Sequence, residues 1–230
     1  LESNLRRAVE REELVLLYQP KVGIRDGQVT GVEALARWDH PTQGIISPGE
    51  FMPVAEDTGL ITSIGQWVLR AACRQLAVWR EQGLPPLRVA VNLSQRQFAQ
   101  DGLIQVVREA LHITSIDSSR LELELTEAMV MRNPERAERL LRQLKDLGVR
   151  LVVDDFGIGI SSLKFLNRLP LDSVKIDRSL ILDLPHSREA AALTRGVIAM
   201  AHSLNLRVVA ESVETAEQWE MLRELGCEEM

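Results

Sequence analysis

Several short apolar runs in this 230-residue chain end on a side chain that can hold or move charge. Val89-Ala90-Val91 ends in Asn92, Leu121-Glu122-Leu123 leads to Glu124, and Leu151-Val152-Val153 ends in the pair Asp154-Asp155. Val174 is followed by Lys175, Val208-Val209-Ala210 by Glu211, and Glu33 interrupts an apolar run over residues 28–38. If the ends of such runs converge, at least four carboxylates repel one another and cannot all stay ionised without a compensating charge. A bound divalent cation is the economical compensation. The donors are oxygens of Glu, Asp and Asn, and none of His40, His112, His186 and His202 follows a run in a comparable position. That set suits Mg2+ or Mn2+. Adjacent carboxylates at Asp154 and Asp155 would let one bridge two ions while the other binds the second, as in attack of an activated water on a phosphodiester.

Each residue also has a plainer role open to it. Glu122 and Glu124 alternate with leucine, as on the exposed face of a half-buried strand. Asp154-Asp155 could cap the turn that begins at Phe156. Lys175 could be a solvated edge lysine, and Glu214 a helix N-terminal carboxylate beside Thr215. Gly157-Ile158-Gly159 by itself is weak support for a phosphate cradle.

The elements that must position these groups are legible from periodicity. Strand-like runs cover residues 15–19, 28–38, 88–93, 121–125, 150–155, 173–177 and 207–212. Helical periodicity covers 48–57, 61–81, 134–147, 188–204 and 215–225, with Ile61, Ile64, Val68, Leu69, Ala72, Leu76 and Trp79 forming one broad stripe. Strand-then-helix units in succession imply right-handed crossovers and a parallel sheet covered by helices. The fold class expected is α/β, a TIM-like (β/α)8 barrel whose strand C-termini meet at one mouth. The short link 23–27 suits a hairpin, so the first strand should be antiparallel. Gly226-Cys227 could open a last strand, but the eighth unit is not visible, and a barrel short of one stave exposes two edges. No linker or composition shift divides residues 1–230, so one domain is expected, cut from a longer protein.

Composition removes several classes. A hydrophobic share of 45% with 26% charged residues excludes a disordered chain. No uncharged apolar run is long enough to span a bilayer. A net charge of −6 argues against binding a DNA or RNA polymer. Cys73 and Cys227 are too few for a disulfide framework or a zinc site, so a reduced, cytoplasmic setting is expected.

Taken together, the motifs resemble the EAL domain, the family of bacterial cyclic di-GMP phosphodiesterases. The triplet stands as Glu33-Ala34-Leu35 within a run from Gly31 to Trp38. Tyr18-Gln19-Pro20, Pro53-Val54-Ala55-Glu56, Val91-Asn92-Leu93-Ser94 and Glu124-Leu125-Thr126-Glu127 are similar to further family segments. So are Asp154-Asp155-Phe156-Gly157, Lys175-Ile176-Asp177 and Ala210-Glu211-Ser212-Val213-Glu214. The resemblance implies hydrolysis of cyclic di-GMP to linear pGpG with Mg2+ or Mn2+, two ions being expected. It implies that Glu33, Asn92, Glu124 and Asp154 hold the first ion and that Asp154 and Asp155 position the second. Glu33, Lys175 and Glu211 are then catalytic, with the choice of base open between Lys175 and Glu211. Gln19, Leu35, Arg37 and Glu214 would contact nucleotide, and Glu127 would brace the loop 156–162, which couples to a homodimer interface.

The resemblance further implies sensor or GGDEF-type domains N-terminal in the full-length protein, and a cytoplasmic location or the cytoplasmic part of a membrane-anchored one. Two departures stand out: Ile158 where threonine is common, and no counterpart after Met230 of the family's Gln-Gly segment, strand and helix. A cyclic di-GMP receptor without hydrolysis and an enolase-type barrel lyase are the competing functions.

Overall fold

Apolar runs of four to six residues have no periodicity that would hold them as helices, and each becomes a strand. In the computed structural model, which describes residues 2–11, 13–157 and 163–230, the first half of the chain runs α1 (Glu2–Glu10), β1 (Leu14–Val22), β2 (Val29–His40), β3 (Gly44–Ile46), α2 (Pro48–Thr58), α3 (Leu60–Glu81), β4 (Arg88–Asn92), α4 (Gln95–Ala99) and α5 (Leu103–Thr114). The second half runs β5 (Leu121–Thr126), α6 (Glu127–Arg132), α7 (Pro134–Asp146), β6 (Arg150–Phe156), α8 (Leu163–Leu166), β7 (Ser173–Ile176), α9 (Arg188–Ser203), β8 (Arg207–Ala210) and α10 (Ala216–Glu224). Contacts group these elements into two units: Leu1–Gln19 with Val32–Leu121, and Pro20–Gly31 with Glu122–Met230.

In the first unit, α3 buries Ile61, Ile64, Gly65, Val68, Leu69, Ala72, Cys73 and Leu76, and packs on α2, α5 and β4. Strand β2 alternates: Val32, Ala34, Ala36 and Trp38 are buried, while Glu33, Leu35 and Arg37 face the other side and are half-buried. β4 is buried over Arg88–Val91 and releases Asn92 at its exposed end. Ser94 then starts α4 with a capping box: its hydroxyl accepts from Gln97 N–H at 3.2 Å, and Gln97 Oε1 accepts from Ser94 N–H at 3.1 Å.

In the second unit, β5, β6, β7 and β8 pair in parallel in sequence order, as successive crossovers require. Caps fix where the helices start: Asn133 Oδ1 accepts from Arg136 N–H at 3.2 Å ahead of α7, and Thr215 and Gln218 form a capping box ahead of α10. The segment 228–230 takes the place beside β8. Glu229 bridges Val209 in parallel and Gly23 antiparallel. Ala210 N–H donates to Glu229 O at 2.8 Å, and Val22 and Met230 exchange N–H···O bonds of 2.7 and 2.9 Å. The end of β1 therefore runs opposite in direction to β8, as the hairpin link predicts. The two bare edges expected of a missing stave are bridged along these residues, because the backbone groups on both sides find partners in 228–230.

Candidate active site

The second unit holds a buried, zigzag series of charges. Glu122 and Glu124 lie two residues apart on β5 and so share a face. The strand is buried on both faces from Leu121 to Leu125, so the solvated-face role open to these glutamates does not apply. Lys21 Nζ donates to Glu122 Oε2 at 3.1 Å and to Glu124 Oε1 at 2.6 Å. Lys175 Nζ donates to Glu124 Oε2 at 2.7 Å and lies 3.4 Å from Asp154 Oδ2 and 2.5 Å from Glu211 Oε1. Lys21, Glu122, Glu124 and Lys175 are each at most 5% exposed. Burial alone would drive the Lys21 ammonium toward neutrality, but Glu124 and Glu122 outweigh it and raise its pKa. Burial pushes Glu124 up, yet Lys21 and Lys175 outweigh it and hold the carboxyl below its ordinary range.

Backbone geometry explains the aspartate pair. Val153 pairs with Val174 and Phe156 with Ile176, so Asp154 and Asp155 on β6 together oppose Lys175 on β7. This is a β-bulge, in which an extra residue re-aims side chains at the end of a strand. Asp155 takes the left-handed conformation at φ 56° that the bulge requires, and its N–H donates to Asp154 Oδ1 at 2.9 Å. The alternative reading, that the pair caps the following turn, misses this register shift. Asp154 is pushed above its ordinary carboxylate range, first by burial, with Lys175 opposing and Glu124 adding to the rise.

The six side chains Glu122, Glu124, Asp154, Glu211, Lys21 and Lys175 carry four negative and two positive charges when ionised. The excess is that of one divalent cation, and the donors are all oxygens, which fits a hard metal. Among the described residues no three carboxylate, histidine or cysteine side chains stand close enough to cage an ion unaided. In the cluster, the ammonium groups lie between the carboxylates.

The first unit presents Glu33, Leu35 and Arg37 on one face of β2. Asn92 Nδ2 donates to Glu33 Oε1 at 2.7 Å, joining two of the expected metal ligands. Arg37 Nη1 donates to the Ala36 carbonyl at 2.8 Å. Beside them a largely apolar cavity of about 260 Å3 is lined by Leu35, Met52, Ile64, Asn92 and Gln97. Gln19 is exposed on β1, and Glu214 is exposed ahead of α10, its N–H donating to Gln218 Oε1 at 2.7 Å. Glu127 is buried in the first turn of α6. Of the loop that it is expected to brace, residues 158–162 lie outside the described residues.

Lys21 was not among the residues singled out by sequence, although it touches both β5 glutamates. A signal for it exists: the chain has only four lysines among 27 basic residues. Where arginine is the ordinary surface cation, a strand lysine marks a place for a compact ammonium.

The EAL domain family model matches residues 2–230. The chain belongs to the EAL domain family. An EAL domain is a TIM-like (β/α) barrel, and the successive parallel strands β5–β8 carry that repeat. MucR of Pseudomonas aeruginosa, named a bifunctional diguanylate cyclase/cyclic di-GMP phosphodiesterase, is 50% identical over 224 residues, 97% of this chain and 33% of that protein. The cyclic di-GMP phosphodiesterase NbdA of the same organism is 46% identical over 228 residues, 99% of this chain and 29% of that protein. This EAL domain thus spans about a third of the length of the curated relatives it matches. The solved PaMucR phosphodiesterase in complex with c-di-GMP has a TM-score of 0.94 at 49% identity, covering 99% of this chain and 92% of that one. The FimX EAL domain of Pseudomonas aeruginosa, bound to c-di-GMP, has a TM-score of 0.90 at 25% identity, covering 99% and 91%. Among the described residues of this EAL domain, no helix is long and apolar enough to cross a membrane.

Proposed function

We propose that this domain, residues 1–230, hydrolyses cyclic di-GMP to linear pGpG with two Mg2+ or Mn2+ ions. The observation that carries the reading is the bulge that sets Asp154 and Asp155 opposite Lys175, in an EAL chain half identical to MucR. Glu33, Asn92, Glu124 and Asp154 would hold the first ion, and Asp154 and Asp155 the second. When bound, such ions acidify a water and neutralise charge on the phosphodiester.

The protein's own groups then divide the remaining work. Lys175 is buried and committed as a donor to carboxylates, whereas the Glu211 side chain is 34% exposed, within reach of water. Glu211 is therefore the base: it takes a proton from the attacking water, while Lys175 fixes its carboxylate. The water oxygen bonds to phosphorus, the bond to the 3′ oxygen breaks, and that oxygen takes a proton from solvent to leave linear pGpG, while Glu211 returns its proton to solvent. Gln19, Leu35, Arg37 and Glu214 contact nucleotide, Arg37 leaving its carbonyl partner for a phosphate. The apolar cavity beside Leu35 and Asn92 is of a size to take a purine.

A homodimer, with Glu127 bracing the loop 156–162 toward its interface, belongs to the same reading. So do sensor or GGDEF-type domains in the full-length protein, and a cytoplasmic location; relatives some three times as long favour the former. The test is incubation with cyclic di-GMP and Mn2+, followed by chromatography. Formation of pGpG that stops with chelator and returns with Mg2+ or Mn2+ supports the reading. Binding without pGpG makes the domain a receptor, and hydrolysis in metal-free protein overturns the metal assignment.

A further inference from the structure

We propose that Lys21 is a positioning residue for Glu124: it fixes one oxygen of that carboxylate while Lys175 fixes the other. The inference rests on the phosphodiesterase reading and adds to it a residue outside the expected ligand and base set. Glu124 is 1% exposed, and its two oxygens are taken by two different ammonium groups, Oε1 by Lys21 at 2.6 Å and Oε2 by Lys175 at 2.7 Å. A carboxylate held at both ends cannot turn about its terminal bond, so the direction in which it offers its remaining lone pairs is set. Lys21 is itself fixed, because Glu122 Oε2 accepts from it at 3.1 Å. Its backbone is anchored as well: Thr30 Oγ1 donates to Lys21 O at 3.3 Å, and the next residue, Val22, pairs with Met230. Glu122 is thus the counter-charge that keeps Lys21 in place, and Glu124 is the group that Lys21 aims.

Glu124 in turn shares Lys175 with Asp154 and Glu211. Releasing Oε1 lets Glu124 rotate, and Lys175 then loses the fixed acceptor that holds it between the two carboxylates. The defect falls on the alignment of the reacting groups, and nucleotide contacts are untouched. It also alters what a cation meets, since removing one ammonium leaves the cluster with one more net negative charge.

The test compares Lys21→Met with the double variant Lys21→Met/Glu122→Gln. Loss of Lys21 alone takes from the buried Glu122 carboxylate the ammonium that donates to it, and the double variant offsets that loss by neutralising Glu122 with a side chain of the same shape. Thermal midpoints should fall in the single variant and recover in the double. In both variants kcat should fall about tenfold or more while KM stays within about threefold, because the reacting groups lose their alignment while the nucleotide contacts remain. Mn2+ affinity, read from the free-ion electron paramagnetic resonance signal, should tighten in the single variant.

A double variant with wild-type kcat would make Lys21 a merely structural cation and overturn the inference. Loss of Mn2+ binding in the single variant, with kcat restored by excess metal, would overturn it too. If wild-type protein binds cyclic di-GMP without cleaving it, the phosphodiesterase reading fails and the Mn2+ measurement alone decides. An affinity unchanged in both variants then sinks the role of Lys21.

Discussion

Because two ammonium groups share Glu124, acid should act on this protein through that one carboxyl. Its pKa lies below the ordinary 4.5, so its contribution to stability is complete above that value and is lost as pH falls through the lower folded value. Urea midpoints followed from neutrality to about pH 3 should therefore drop more steeply in wild type than in Glu124→Gln. Equal slopes would mean that Glu124 is not held by its lysines. Truncating one partner of a buried pair is costly, so Lys21→Met should lose about 3–5 kcal/mol in equilibrium unfolding. Lys175→Arg keeps a charge, but the planar fork does not fit where a compact, 2%-exposed ammonium meets three carboxylates. Turnover should fall on the order of 100-fold with cyclic di-GMP still bound; wild-type rates would remove Lys175 from the chemistry. At this scale the aspartate pair was legible because two charges after three aliphatic residues imply no solvated face. Lys21 was not, because its partners lie about a hundred residues away on β5 and nothing local in the strand announces them.

Among the elements, β6 is the one whose irregularity matters. Asp155 sits at φ 56°, a conformation that β-branched side chains resist. Asp155→Val should cost about 1–3 kcal/mol in unfolding, whereas Asp155→Gly should fold normally and lose only metal and activity. Equal stability of the two would place the strain elsewhere. A second contact joins α3 to α4. A methyl group on Gly65 would come within 2.1–2.2 Å of the Gln97 carboxamide, so Gly65→Ala must push Gln97 out of its capping box. The expected cost is about 1 kcal/mol, and the Gly65→Ala/Gln97→Ala double variant should cost less than the two singles together. The alternating strand-helix order and the stripe on α3 were readable, because each is written in residues close in sequence. Helix α5, with Leu103, Val107, Ala110 and Thr114 inward, was passed over: Gly102 gives it no capping side chain, and polar residues dominate the segment before it. The bulge was hidden for a different reason. Register depends on the partner strand, and no spacing within residues 150–156 reports it.

At the scale of the molecule, the second unit depends on a segment taken from far upstream. Deleting residues 228–230 would unpair Val22, Ile24 and Ala210 and strand Arg207, whose Nη2 donates to Glu229 Oε1 at 2.6 Å. The shortened protein should melt at a lower temperature and aggregate from the exposed edges; an unchanged midpoint and a clean monodisperse profile would count against the bridging role. The same pairing fixes an order of events at the ribosome. Residues 20–31 are made before their partner, and the segment that Val22 joins arrives roughly 200 residues later. Lys21 is in the same position, a cation born long before Glu122 and Glu124, the acids it will be buried with. Until then β1 can pair with β2, and through it with β4, but its edge at Val22 has no strand on the other side. Of the two partners, the one made first waits for the other.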